Sequence, residues 1–232
     1  MMKLAIIPAR GGSKRIPRKN IKNFFGKPVI GYTIEILIQS NFFDNIIVTT
    51  DDEEIANIAR EFGADVPWIR SCELSNDTTT TDAVIRHALA EASMIYGEFN
   101  FGCCVYPVNP LLSIEMLQNG LSQLQIHNAA TAFPVVRFEF PIQQALLLNN
   151  GRPHFRSPEA ASINSQDLPV HYHDAGMFYW FDISKYRNNP FLFSDDSIAF
   201  EVDQLQCQDI NTAQDWELAE LKFSRLKASQ KK

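Results

Sequence analysis

The 232-residue chain has no apolar run approaching the roughly 20 residues that a membrane-spanning helix needs, so no membrane partner is expected. The apolar stretch in MMKLAIIPARGG is too short for a secretory signal and charge follows it at once, which predicts a cytoplasmic protein. Cysteine is scarce. Cys72, Cys103, Cys104 and Cys207 show no framework spacing, which argues for reduced thiols, and no metal site is visible among them. Cys103 and Cys104 sit in FGCCVYP, an apolar run that reads as a buried strand, where they serve packing. There is no internal repeat, and the Thr run 78–81 is the one biased segment. What is present, 45% hydrophobic and 11% aromatic residues, is the composition of a globular protein. Its length suits one large domain, or one domain with an inserted lobe.

Acidic residues are missing altogether from positions 1–34, which hold Lys3, Arg10, Lys14, Arg15, Arg18, Lys19, Lys22 and Lys27. The rest of the chain carries 13 basic against 27 acidic residues, a local balance of −14 beneath an overall −6. A protein that coats nucleic acid spreads its positive charge over a face and sets aromatic platforms beside it. Here the charge is local, no such platform adjoins it, and the acidic remainder would repel a long polyanion. No nucleic-acid partner is expected; a compact polyanion is.

Apolar spacing lays out the chain. Residues 3–7 predict a buried first strand, followed by a loop to Lys27 and a helix from about Pro28. A second strand over 45–50 leads into DDEEIANIAREFGA, a helix with acids at its positive end and Gly63 as its stop. A short strand over 66–70 enters the polar loop SCELSNDTTTT. Helices over 81–96 and 113–126 then alternate with strands over 101–107 and 129–136. Strict alternation predicts an α/β fold with a mostly parallel central sheet covered on both faces. Residues 137–173 break it with Pro141, Pro153, Pro158 and Pro169, and predict an insertion outside the sheet, a hairpin lobe or dimerisation arm. A strand over 177–181 resumes, and a last helix closes the chain, with Thr212 and Asp215 as a capping box and Trp216, Ala219, Phe223 and Leu226 on its apolar face.

The loop IPARGGSKRIPRKN, residues 7–20, follows a strand, offers backbone N–H groups at Gly11 and Gly12 and adds the Ser13 hydroxyl. Those are the parts of a phosphate cradle; a solvated basic loop is the bland alternative. Neither GxxxxGK[ST] nor GxGxxG is present, so neither nucleotide motif applies.

IPARGGSKRIPRKNI resembles the nucleotide-binding signature of the acylneuraminate cytidylyltransferases, which make CMP-sialic acids from CTP. The likeness continues through TTDDEEIANIA, RSCELSNDTTTTDAVIRHAL, YPVNPLL, HDAGMFYW and QDINTAQDWELAE, six blocks in order across nearly the whole chain. Tyr before Pro in YPVNPLL, with FPIQQAL and HDAGMFYW, looks like the family's pseudaminic acid branch; the N-acetylneuraminate branch and a CTP-binding homologue without turnover are the alternatives. The resemblance implies a Rossmann-like nucleotidyltransferase sandwich in one domain, acting as a homodimer whose arm, about 137–173, completes the partner's sugar pocket. It implies CTP and a nine-carbon sugar acid as substrates, and Mg²⁺ as cofactor.

By the same resemblance Arg10, Ser13 and Lys19 hold the triphosphate with Gly11 and Gly12, Lys14 and Arg15 being further cations. Asn20 bonds the nucleotide, and Arg70 lies near the base, unless it is a surface residue ending a strand. Tyr106, Asp174, Gly176 and Phe178 contact the sugar, with Met177 standing where Gln is more usual. Asp209 and Asn211 occupy the family's Asp-x-Asp metal pair, the second position having lost its charge; DINT also suits a helix cap. Arg10, Lys19 and Asp209 are thus the implied catalytic set. His171 and His173 share a strand face without an evident third ligand, and His87 is either a core or a site residue.

Overall fold

In the computed structural model, which describes residues 1–229, β1 (Lys3–Pro8) lies at the middle of the molecule. Leu4, Ala5, Ile6 and Ile7 are buried on both faces, as a parallel strand covered by helices requires. The basic loop follows and closes with a small ribbon, β2 (Asn23–Phe24) on β3 (Lys27–Pro28), turned at Phe25 and Gly26. Both turn residues have positive φ, the geometry of a tight type I′ hairpin.

Next come α1 (Val29–Ser40), β4 (Asn45–Thr49), α2 (Glu53–Glu61), α3 (Thr81–Tyr96), β5 (Phe101–Val105), α4 (Ile114–Ile126) and β6 (Thr131–Arg137). Side-chain caps start three of these helices, from Asp52, Thr80 and Ser113, each accepting a backbone N–H three residues on. A hairpin, β7 (Leu146–Asn149) with β8 (Arg152–Phe155), stands outside the main sheet as expected. The chain returns through β9 (Tyr172–Asp174), β10 (Phe178–Asp182), α5 (Ile183–Asn188), β11 (Ser197–Glu201) and α6 (Ala213–Ser229).

The main sheet runs β11-β6-β10-β5-β1-β4, with β9 also on β6. β1 is parallel to β4 and β5, and β11 to β6, whereas β9 and β10 run antiparallel to their neighbours. The fold is therefore α/β with a mainly parallel sheet. One face carries α1, α2 and α4, which share a core with Ala5 and Ile7; the other carries α3 and α5, packed on Leu4 and Ile6. A third cluster seats Trp216, Ala219 and Phe223 of α6 on Ile16 and Phe24, clamping the basic loop from outside.

Two expectations need correction, and a third gains a direction. Residues 66–70 form no strand: only isolated bridges join Asp65 to Ile47 and Ile69 to Thr50, because Pro67 between them has no N–H to donate. The strand expected at 177–181 is present as β10, and it runs antiparallel to both its neighbours. The insertion ends by residue 171, since Tyr172 already pairs with Arg137 in the sheet. The short α5 and β11 carried no periodicity long enough to predict them.

Candidate active site

The chain leaves β1 for β4 on one side and later returns to β5 on the other. A crevice beyond the carboxyl ends of β1 and β5 is the consequence of that reversal. A cleft of about 510 Å³ occupies the crevice. Pro8, Tyr106 and Pro107 line its base; Arg10, Ser13, Lys14, Arg15, Lys19 and Asn20 form one wall, and Gly176, Asp209, Ile210 and Asn211 the other. A smaller chamber of about 210 Å³ adjoins it, sharing Pro8, Arg10, Asp77 and Tyr106 and adding Arg70, Ser75 and Thr81. A groove of about 800 Å³ between α1, α4 and α6 is larger, but mixes Lys27 and Lys227 with Glu35, Glu115, Glu201 and Asp203. It concentrates no charge of one sign, whereas the crevice gathers Arg10, Lys14, Arg15 and Lys19.

Inside the loop the cations divide. Arg18 adopts a left-handed conformation and turns its guanidinium onto Asp52 and Glu54 at the start of α2. Its hydrogen bond holds the Asp52 carboxyl below the usual carboxylate range. Lys22 sits 4.3 Å over the Trp216 ring, and Lys27 pairs with Glu35. Arg10, Lys14, Arg15 and Lys19 remain in the cleft. The Lys19 ammonium donates to the Ile210 carbonyl at 2.6 Å; burial pushes its pKa down, against the pull of Asp209. Arg15 donates to Asn211 Oδ1 at 2.8 Å, and Asn211 Nδ2 to Asp209 Oδ2.

The two glycines differ in role. Gly11 N–H donates to Asp51 Oδ1 at 2.9 Å, so it is not free for a ligand as the sequence suggested. A Cβ there would fall 2.7 Å from Asp52 Oδ2, which is why glycine lets the loop close on α2. Gly12 is exposed, with open space around it. Asn20 is buried and donates to the Arg10 carbonyl at 2.8 Å, fixing the loop from beneath as well as lining the cleft.

Arg70 is only 4% exposed and donates to Ser75 Oγ and the Thr49 carbonyl, which excludes a surface role. Burial lowers its pKa, while Asp51 acts in the opposite sense. Tyr106 reaches Thr81 Oγ1 at 3.3 Å and packs edge-on to Tyr179, whose hydroxyl donates to Asp174. Burial raises the Asp174 pKa, opposed by the Tyr179 and Gly176 hydrogen bonds. Between residues 132 and 135 of β6 the opposite strand runs from 180 back to 174, so three extra residues loop out. Gly176, at φ +64, is one of them, and a Cβ there would lie 3.3 Å from Asp209 Cγ.

Phe178 must be withdrawn from the sugar contacts. It is fully buried, points to the α4 side of the sheet beside Gly120 and Phe200, and does not line the cleft. Met177 is buried too, and contributes its carbonyl, which accepts from Tyr106 N and Asn109 Nδ2. His87 lies on α3 edge-on to Trp68, outside both chambers. His171 bonds Gln143 and the Pro169 carbonyl, and His173 its neighbour's carbonyl. Thr212 and Asp215 form the expected capping box, so the DINT segment caps α6 while Asp209 and Asn211 face the cleft.

Two residues at the site went unpredicted. Asp51 orders Gly11, and Asp77 bonds both Arg10 and Lys14. Asp77 sits in a loop of Asn and Thr turn residues, and no spacing sets it apart there.

The family model described as Cytidylyltransferase matches residues 4–217. The pseudaminic acid cytidylyltransferase of Campylobacter jejuni serotype O:2 is 38% identical over 224 residues, 96% of this chain and 97% of that one. The N-acylneuraminate cytidylyltransferase of Escherichia coli O18:K1:H7 is 30% identical over 218 residues, 93% of this chain and 51% of its own length. A solved CMP:2-keto-3-deoxy-manno-octonic acid synthetase complexed with CTP has the same fold, with TM-score 0.71 at 17% identity over 97% of this chain and 99% of that one.

Proposed function

The chain belongs to the cytidylyltransferase family, and from that premise we propose that it transfers CMP from CTP to a nonulosonic sugar acid, pseudaminic acid, releasing pyrophosphate. The observation that carries this reading is the crevice, where Arg10, Lys14, Arg15 and Lys19 face Asp209 across one cleft. The sugar's anomeric hydroxyl attacks the α-phosphorus and loses its proton to water, the bond from that phosphorus to the bridging oxygen breaks, and the electron pair leaves with pyrophosphate. Arg10, Lys14 and Lys19 offset the negative charge that grows on the leaving oxygens, with Ser13 as hydroxyl donor and Gly12 as backbone donor. Arg70 and Tyr106 line the small chamber, which suits a pyrimidine base; Gly176 borders the sugar end, and Asp174 lies behind it, accepting from Gly176 N–H.

Mg²⁺ fits the donors present. Among the described residues no three His, Cys, Asp or Glu side chains converge. A hydrated ion held by one or two protein oxygens and completed by substrate phosphates is what Mg²⁺ favours. Asp209 would hold it, joined by Asn211 Oδ1 once Arg15 turns to a phosphate. Bound there, the ion would neutralise phosphate oxygens.

The exposed apolar arm over 138–171 supports a homodimer, and the unpaired thiols suit the cytoplasm. The test is pyrophosphate release from CTP by the purified protein with a panel of nine-carbon and eight-carbon acids. Mg²⁺-dependent release with pseudaminic acid is expected. Turnover of N-acetylneuraminate alone would move the substrate to the sialate branch, and CTP binding without turnover on any acid would leave a binding protein.

A further inference from the structure

Two of the four cations in the cleft already hold an anion, and it belongs to the chain itself. Asp77 Oδ1 accepts from Arg10 Nη1 at 2.9 Å, and Asp77 Oδ2 accepts from Lys14 Nζ. The same Arg10 nitrogen also reaches the Asn76 carbonyl at 3.3 Å. Asp77 lines both the 510 Å³ cleft and the 210 Å³ chamber, so its carboxylate stands at the passage between them.

The loop that carries it is not slack. Asn76 Oδ1 accepts from the backbone N–H groups of Thr78 and Thr79 and from both their hydroxyls, which fixes the turn around Asp77. Lys14 and Arg10 hold the Asp77 carboxyl below the usual carboxylate range, so it is ionised at neutral pH. Arg15 and Lys19, by contrast, contact an amide oxygen and a carbonyl, not a carboxylate.

We propose that Asp77 is a specificity-determining residue, an internal carboxylate that occupies the phosphate-binding cations and that an incoming phosphate chain must displace. The assignment rests on the cytidylyltransferase reading for the identity of that chain, though not for its charge. One carboxylate brings a single negative charge to Arg10 and Lys14. A triphosphate brings about four and a monophosphate about two, so the triphosphate displaces Asp77 more readily. A tethered competitor weakens every anion by the fraction of molecules whose cations are free. The penalty tells most on ligands with few other contacts, such as a nucleoside monophosphate or free pyrophosphate. Asp77 therefore favours triphosphate entry, and by returning to Arg10 and Lys14 it favours release of pyrophosphate.

The experiment compares the wild-type protein with Asp77→Asn and Asp77→Ser by calorimetric titration with CTP, CMP and inorganic tripolyphosphate, alongside CTP turnover. Removing the carboxylate should tighten CTP, tripolyphosphate and CMP by a similar factor, about three- to tenfold, and the gain should shrink as salt is raised. Thermal melting of each variant establishes that it is folded, and Ser removes the charge even if the Asn amide adopts a new contact. Anion affinities that stay the same or fall in both folded variants would overturn the assignment. Tighter tripolyphosphate binding in a protein that never turns over CTP would uphold Asp77 as an internal anion while the transferase reading fails.

Discussion

Asn211 bridges two charged neighbours, accepting a hydrogen bond from Arg15 at its oxygen and donating one to Asp209 from its nitrogen. An aspartate there would keep the Arg15 contact and place a second carboxylate against Asp209. Two adjacent carboxylates repel unless a cation lies between them. Asn211→Asp is therefore expected to lower the Mg²⁺ concentration for half-maximal turnover by about tenfold. Initial rates across a Mg²⁺ series measure this, and a Mg²⁺-induced rise in Tm without substrates checks it apart from activity. An unchanged requirement would mean that the metal is held elsewhere. At this scale the sequence is most informative where a residue's neighbours are local. Arg10, Ser13 and Lys19 meet in the cleft because one loop carries them all. The role of Arg18 is not legible there, because its partners Asp52 and Glu54 lie 34 and 36 positions away, and that of Asp77 is hidden for the same reason.

Helix α4 approaches the sheet closely at Gly120. A Cβ on Gly120 would lie 2.8 Å from the Trp180 ring and 2.9 Å from that of Phe178, both fully buried. The Trp180 ring has no room to swing, because it stacks on Phe43 and its Nε1 donates to the Leu117 carbonyl of the same helix. Alanine inside a helix normally gains about 1 kcal/mol over glycine. Overpacking typically costs about 1–3 kcal/mol, and here it wins. Gly120→Ala should thus lower the urea midpoint without changing the slope of the transition, and a raised midpoint would show that α4 can lift off the rings. The same stretch shows what element-level patterns conceal. A strand buried on both faces presents one apolar run whichever way it points, so Phe178–Asp182 could be found in the sequence but its antiparallel direction could not. Helical spacing, which repeats over three or four turns, located α3 to the residue.

Across the whole molecule, charge and apolar surface lie at separate places, and each predicts a partner. The crevice gathers cations in an acidic protein. The arm gathers apolar side chains at the surface: Phe140 is 81% exposed and Leu148 73%, with Leu146, Leu147, Phe155 and Ile163 also open to solvent. Monomeric soluble proteins rarely leave such a patch uncovered. Four prolines made the arm legible as a departure from the sheet, but no single sequence pattern encodes what would cover its apolar face. Pairing of Leu146 with Phe155 and of Leu148 with Pro153 sets these four side chains on one face of the hairpin. Charges placed on that face would be desolvated in a dimer and cost nothing in a monomer. Light scattering on the double variant Leu146→Glu, Leu148→Glu is therefore expected to report half the mass of the wild-type assembly. If the arm also completes the partner's sugar pocket, KM for the sugar acid should rise about tenfold or more while CTP affinity holds, since the crevice is built from one chain. A wild-type protein that is already monomeric at working concentration would remove the dimer, and with it the arm's part in the sugar site.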